Sequence, residues 1–375
     1  MELAARGRGG GCGAERAVRD CRHVGPRAPY TPLGSPPVIY TRAPVQRLQL
    51  DLDPYANDPG RWGASLICLA EIVLPCLDAA GARSVVEVGA YAGDLTAVLV
   101  EWGAGSGAKV CAIDPAPRKP LVELAERRPE LELVRETSHA ALARIAPPDA
   151  AILDGDHNYY TVSEELRLIA ERSAGGELPL LIFHDVGWPH ARRDDYYDPS
   201  LVPPEHLQPI EEGTGLFPGV EGVRPGGLPY RYAARREGGP RNGVLTAVED
   251  FVAERDGLRL AIVPAFFGLG VVWPESAPWA PAVADVLEPW DRNPLLARLE
   301  HNRVLHLASS HYQMVAAARV GERAARQEAV LRRLLDSSAF AVAERLSRLR
   351  RRAGIATEAS TISKTDVRRA LGDQR

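Results

Sequence analysis

Short apolar runs alternating with segments of helical length constrain this chain more than any other feature. The runs are Ser84 to Val88, Lys109 to Ile113, Leu131 to Arg135, Ala150 to Leu153 and Leu180 to Phe183. Between them lie Leu95 to Trp102, Pro120 to Arg128, Ala140 to Ile145 and Val162 to Ala174. Parallel strands must be joined by a crossover of a dozen or more residues, usually a helix, so this rhythm predicts an open twisted α/β sheet covered by helices. Ahead of the first strand, "RWGASLICLAEIVLPCLDAAG" predicts a helix whose apolar face is Leu66, Leu69, Ile72 and Val73. After a helical stretch, "VLTAVEDFVAER", two apolar runs, "LRLAIV" and "LGVVW", stand close enough to form a hairpin. The last strand is therefore predicted antiparallel, unlike the parallel closing strand of a dinucleotide-binding sheet.

With 375 residues the chain exceeds the size of one common core, which predicts a catalytic-sized domain with extensions. A net charge of −4 argues against nucleic acid as a partner. The five cysteines are odd in number and lack zinc-like pairing, so they read as reduced thiols of a cytoplasmic protein. No stretch approaches the roughly 20 apolar residues needed to cross a bilayer. Residues 1–46, rich in Gly, Arg and Pro, read as a disordered arm. Residues 47–285 form the expected catalytic domain, carrying a lid-like insert over 187–243, where long loops tend to be binding surfaces. Within it Trp188, Tyr196 and Tyr197 offer stacking rings and Arg192 and Arg193 offer cations, each of which also suits an ordinary tethered loop. Residues 286–353 are a helical extension and 354–375 a tail. From Leu295 to Ala353 there is no proline and one glycine, which predicts one long helix or a bent pair that packs on the core or on a second subunit. Its end, crowded with Arg345, Arg348, Arg350, Arg351 and Arg352, fits either an anionic membrane surface or a solvated end favoured by the helix dipole, the second being the plainer account. Ser363 and Asp366 predict a capping box for a short final helix.

The first strand runs into "EVGAYAGDLT". Gly89 and Gly93 sit where the first parallel strand turns into its helix, the turn that faces the ligand crevice of such a sheet, and glycine there lets backbone approach a ligand. Turn chemistry alone also accounts for them. Asp114 ends the second strand, where a carboxylate can accept both hydroxyls of a ribose. Glu87, two residues before Gly89, gives nothing to a pyrophosphate but favours a ligand carrying an ammonium and a sulfonium. "VVEVGAYAGDLT" with Asp114 downstream resembles the cofactor region of class I S-adenosylmethionine-dependent methyltransferases, across roughly residues 61 to 275. The resemblance implies a Rossmann-like sheet ending in an antiparallel hairpin. It also implies S-adenosylmethionine as cofactor, with Glu87, Gly89, Ala90, Tyr91 and Gly93 at its methionine end, Asp114 on the ribose, Ser138 near adenine and Asp154 bordering the crevice.

A second cluster follows the fourth and fifth strands. "ILDGDHNYY" leaves Asp154, Asp156, His157 and Tyr159 at one strand end, and "LLIFHDVGWP" leaves His184 and Asp185 at the next. Neighbouring parallel strands bring both groups to one crevice. Two carboxylates and an imidazole suit a divalent ion, Mg²⁺ by the carboxylates and Mn²⁺, Fe²⁺ or Zn²⁺ by the histidine. Equally, His157 or His184 suits a metal-free general base oriented by the carboxylates, and Asp156 and His157 also suit simple capping of the next helix. "DGDHNYY…LLIFHDV" resembles the branch of metal-dependent sugar O-methyltransferases and relatives of cephalosporin hydroxylase. By position it puts Asp154 and Asp185 on metal ligands, with His184 standing where that branch has an acidic residue.

An alcohol needs a base or a metal to become nucleophilic at neutral pH, so this cluster suits methylation of oxygen, on a glycan or small natural product. Two rivals share the scaffold: an oxidative enzyme whose histidines and carboxylates hold iron, and an assembly protein that has lost catalysis.

Overall fold

The computed structural model describes residues 65–173, 177–212, 214–222, 224, 227–355 and 362–372. The arm expected over 1–46, and the first residues expected of the catalytic domain, lie outside the described residues.

A 3₁₀ turn, Leu66–Leu69, leads into α1 (Ala70–Ala80), and strand–helix alternation then proceeds as the sequence implies. The units are β1 (Ser84–Val88), α2 (Asp94–Ser106), β2 (Lys109–Ile113), α3 (Lys119–Arg127), β3 (Leu131–Val134), α4 (Ser138–Leu142), β4 (Ala150–Leu153), α5 (Tyr159–Arg172) and β5 (Leu180–Phe183). The insert follows, holding a two-stranded ribbon, Thr214–Leu216 with Leu228–Tyr230. Then come α6 (Val244–Ala253), β6 (Leu258–Val263), β7 (Leu269–Pro274) and α7 (Ala280–Leu287). The seven strands form one sheet in the order β3-β2-β1-β4-β5-β7-β6. The first five are mutually parallel, and β7 runs antiparallel to both β5 and β6. This is the Rossmann-like sheet with a closing antiparallel hairpin that the sequence implies.

The central strands are buried on both faces, which is why they read as unbroken apolar runs rather than alternating ones. On one face Val85, Ile152 and Val271 pack with Leu77 of α1, Leu99 of α2 and Val283 of α7. On the other Val86, Leu153 and Val272 pack with Leu142 of α4, Leu166 of α5 and Val248 of α6. The order reverses at β1 and β4, whose neighbours lie on opposite sides, and the crevice outside their carboxyl ends is where such sheets bind ligands.

The C-terminal extension is a bent pair. α8 (Pro294–Asp336) and α9 (Ser338–Arg352) meet at Ser337, whose hydroxyl accepts from Phe340 N and restarts the helix. The first third of α8 is the part with buried residues, Val304 and Ala308; Tyr312 stands edge-on to Phe217 of the insert, while Met314, Val320 and Val330 are exposed. Near this docked part Glu300 accepts from the main-chain N–H groups of Phe266 and Phe267, in the turn of the β6–β7 hairpin. α10 (Lys364–Leu371) begins with the expected capping box of Ser363 and Asp366. Among the described residues no helix is long and apolar enough to cross a membrane.

Candidate active site

The glycine turn after β1 serves two purposes. Gly89 has φ +83°, and a Cβ there would collide with the main-chain carbonyl of Asp154 at the end of β4. The residue is thus required by the close approach of the two strand ends as well as by its backbone conformation. Gly93, at φ +87°, is the N-cap of α2 and packs against Leu121. Between them Ala90 is buried, and Tyr91 takes φ +44° with its ring half exposed beneath the Arg118 guanidinium. A non-glycine residue at positive φ is uncommon, and here the Asp114 carboxylate holds it: Oδ2 accepts from Tyr91 N at 2.8 Å and Oδ1 from Ala116 N at 2.7 Å. Each oxygen keeps a second lone pair for a ligand.

Glu87 is buried under this turn, with Oε2 accepting from the Thr96 hydroxyl at 2.6 Å. Burial pushes its carboxyl up to about 8, against the Thr96 hydrogen bond and with the carboxylates of Asp154, Asp94 and Asp114 adding to the rise. A buried acid surrounded by acids is a place for a cation. Ser138 begins α4 and is half-buried. Gly89, Ala90, Tyr91 and Gly93 thus form one turn at the carboxyl ends of β1 and β2, braced by Asp114 with Glu87 buried beneath it.

The second cluster assembles where the sequence places it. His184 is buried, and its Nε2 lies 2.8 Å from the Phe266 carbonyl, an acceptor that fixes this nitrogen as a donor. Its Nδ1 lies 3.1 Å from Asp154 Oδ1 and 3.2 Å from Asp185 Oδ2. Burial alone would lower this imidazole, but Asp185 and Asp154 outweigh it and hold His184 well above the ordinary histidine range. Asp185, at φ +59°, is in turn held well below the carboxylate range: burial opposes this, and the His184 and His157 charges prevail. His157 Nε2 is 3.1 Å from the same Asp185 oxygen, and burial opposed by Asp185 leaves its imidazole pushed up to about 9.

Asp154, His157 and Asp185 can bring one donor atom each within 4.8 Å of the others. His184 Nδ1 lies within 3.2 Å of a carboxylate oxygen of each aspartate, so an ion held there would share both carboxylates with this imidazole.

Asp156 has its carboxylate engaged by the protein itself, accepting from Tyr197 N and the Thr161 hydroxyl. The cap of α5 is Asn158, whose Oδ1 accepts from Thr161 N. In the insert Tyr196 and Arg193 are buried, Tyr196 donating to Asp194 and Arg193 to the Ala234 carbonyl, while Arg192 pairs with Glu249. Of the residues singled out there, Tyr197 is exposed and Trp188 lines a cavity of about 240 Å³ with Gly187, Pro264, Glu300, His301 and Val304.

Several residues of the site carry no obvious sequence signature. Asp194 is fully buried and ties three segments together: its Oδ1 accepts from Tyr159 N and Gly243 N, and its Oδ2 from the Tyr196 hydroxyl. His190 is buried, its ring 4.5 Å from that of His157 and edge-on to Tyr230 at 4.9 Å. Asp195 donates its main-chain N–H to the His157 carbonyl at 3.0 Å. Glu165, the one acid in the buried stripe of α5, lies beneath the loop following β4.

No protein-family model matches the chain, and no curated protein matches it. Solved structures that resemble it include an SAH-bound methyltransferase from Podospora anserina, 13% identical, with a TM-score of 0.35 over 56% of this chain and 77% of that one. Another is a 1,6-didemethyltoxoflavin-N1-methyltransferase from Burkholderia thailandensis, 15% identical, TM-score 0.33, over 56% and 78%. A third is an O-methyltransferase from neocarzinostatin biosynthesis in complex with S-adenosylmethionine, 15% identical, TM-score 0.33, over 59% of each chain. The likeness is faint and one of fold outline; the chemistry below rests on this chain's own residues.

Proposed function

We propose that the protein is an S-adenosylmethionine-dependent methyltransferase that methylates a hydroxyl of a glycan or small natural product. The observation that carries this reading is the contact of Gly89 with the Asp154 main chain. It brings the glycine turn, with Glu87 and Asp114 beside it, against the pole of histidines and carboxylates at the ends of β4 and β5.

When bound, S-adenosylmethionine supplies an electrophilic methyl: its carbon–sulfur bond breaks as a carbon–oxygen bond forms, leaving a neutral thioether, a methyl ether and one proton. Glu87 answers the positive charge of the cofactor, Asp114 takes the ribose, and Tyr91 and Gly93 shape the wall. The acceptor hydroxyl lies toward His157, which Asp185 orients; because Asp185 holds this imidazole charged up to about pH 9, it accepts the hydroxyl proton only after losing its own, so turnover should rise with pH toward that value. His184 has both nitrogens engaged, so it acts as a fixed positive group that positions Asp154 and Asp185. The cavity beside Trp188 and α8 offers space for the remainder of the acceptor. Membrane contact by the basic end of α9 and self-association through α8 rest on exposure and charge alone and have no part in this chemistry.

Methyl-labelled S-adenosylmethionine offered with a panel of hydroxylated sugars and phenols tests the reading. Label should appear on one acceptor class, and His157→Ala should lower kcat about 100-fold or more while cofactor Kd moves only a few fold. Unchanged turnover in that variant would remove the pole from the chemistry. Label on no acceptor, from a protein that binds the cofactor, would favour the assembly alternative.

A further inference from the structure

Two buried polar atoms near His157 have no partner in the protein: Nδ1 of His190 and Oδ1 of Asp195. Native structures rarely leave such atoms unpaired, and when they do an ion or a water commonly sits there. His157, His190 and Asp195 can bring one donor atom each within 4.8 Å of the others. We propose that these three residues hold a divalent transition-metal ion, with two imidazoles and one carboxylate as ligands.

The three donors are placed by features other than the ion. Asp195 is held by its main chain, which bridges His157 on one side and Ala233 on the other. His190 is wedged between the rings of His157 and Tyr230, and its carbonyl accepts from Val244 N at the start of α6. His157 already directs Nε2 to Asp185 at 3.1 Å, which leaves Nδ1 to bind. A ligating histidine whose other ring nitrogen donates to a carboxylate is the usual arrangement at metal centres, since the carboxylate fixes the tautomer and strengthens the ligand. Asp185 has that role here. This centre shares His157 with the Asp154–Asp185 group and takes its other two ligands from the insert.

The donor set selects the metal. Two imidazole nitrogens with one carboxylate favour Zn²⁺, Co²⁺, Fe²⁺ or Mn²⁺, whereas Mg²⁺ and Ca²⁺ favour oxygen throughout. Three protein ligands leave positions open to a further oxygen ligand. On the methyltransferase reading, an acceptor hydroxyl bound there would lose its proton more readily. Binding of the ion itself does not depend on that reading.

The full chain, stripped with chelator and dialysed, would be titrated with Co²⁺, Zn²⁺ and Mg²⁺ by calorimetry, following visible absorption for Co²⁺. The expected result is one equivalent of Co²⁺ or Zn²⁺ bound, a Co²⁺ absorption band, and Mg²⁺ affinity at least 100-fold weaker. His190→Gln and Asp195→Asn should each weaken Co²⁺ at least 10-fold with the far-ultraviolet spectrum retained, and Asp154→Asn should leave it within about threefold. Absence of a Co²⁺ band in the stripped wild type would overturn the proposal without any variant. So would binding that survives both His190→Gln and Asp195→Asn, or binding lost in Asp154→Asn alone.

Discussion

The crevice after β1 and β2 and the pole after β4 and β5 lie side by side, yet they are built in opposite ways. In the first, Glu87, Gly89, Tyr91, Gly93 and Thr96 come from one continuous strand–turn–helix, and the distant contribution is Asp114, bonded to Tyr91 N. The second joins strand ends at Asp154 and Asp185 to insert residues His190, Asp194 and Asp195, and to a hairpin turn fixed by Glu300 of α8. A locally encoded site depends on backbone conformation, whereas one assembled from distant segments depends on the buried side chains that tie them together.

That contrast can be broken from either side. Gly89→Ala should have the largest effect, because the added Cβ meets the Asp154 carbonyl and the residue sits at positive φ. A stability loss of about 3–5 kcal/mol is expected in denaturant unfolding. Asp194→Ala strands the N–H groups of Tyr159 and Gly243 and the Tyr196 hydroxyl, and should cost about 2–4 kcal/mol. It should free the insert to proteolysis while cofactor binding at the first crevice survives; loss of both together would mean the two regions are not separable.

Glu87→Gln changes a pH dependence rather than a packing contact and sharpens the comparison. With its carboxyl raised to about 8, the folded state holds a proton that the unfolded chain releases near pH 4.5. Between those values stability contributed by this group therefore falls as pH rises, by up to about 1.4 kcal/mol per pH unit, and levels off above 8. The Gln variant should lack that decline, becoming relatively more stable than wild type from pH 5 to 8 in thermal melts. Its affinity for a cationic cofactor should be lower and should not rise with pH over this range. Parallel stability profiles for the two proteins would mean that Glu87 is not held protonated.

Much of the fold was legible because burial on both faces writes central strands as unbroken apolar runs, and β4 and β5 carry no polar residue at all. The antiparallel ending was legible for a similar reason, the short gap between "LRLAIV" and "LGVVW". Of the site, Asp154, His157, His184 and Asp185 follow from parallel topology, which brings the ends of adjacent strands together. His190, Asp194 and Asp195 were harder, since a Gly/Pro-rich insert has no period and its partners are fixed by distant hydrogen bonds. A usable signal existed in "WPHARRDDYYDP": imidazole and carboxylate concentrated a few residues past a strand end already rich in both. Glu165 left a plainer one, a lone acid in the stripe of Val162, Leu166 and Ile169. The roles of Tyr196 and Arg193 could not be read at all, because a ring or guanidinium looks the same in sequence whether it meets a ligand or closes a loop.

Calorimetric titration of the full chain with S-adenosylmethionine and S-adenosylhomocysteine tests the central claim most directly, with Asp114→Asn as the control that removes the charge and one of the turn's two N–H acceptors. The account expects micromolar, one-to-one binding of both, weakened about tenfold or more in the variant by loss of one charge-assisted ribose contact. Binding of neither ligand by the folded wild type would contradict it.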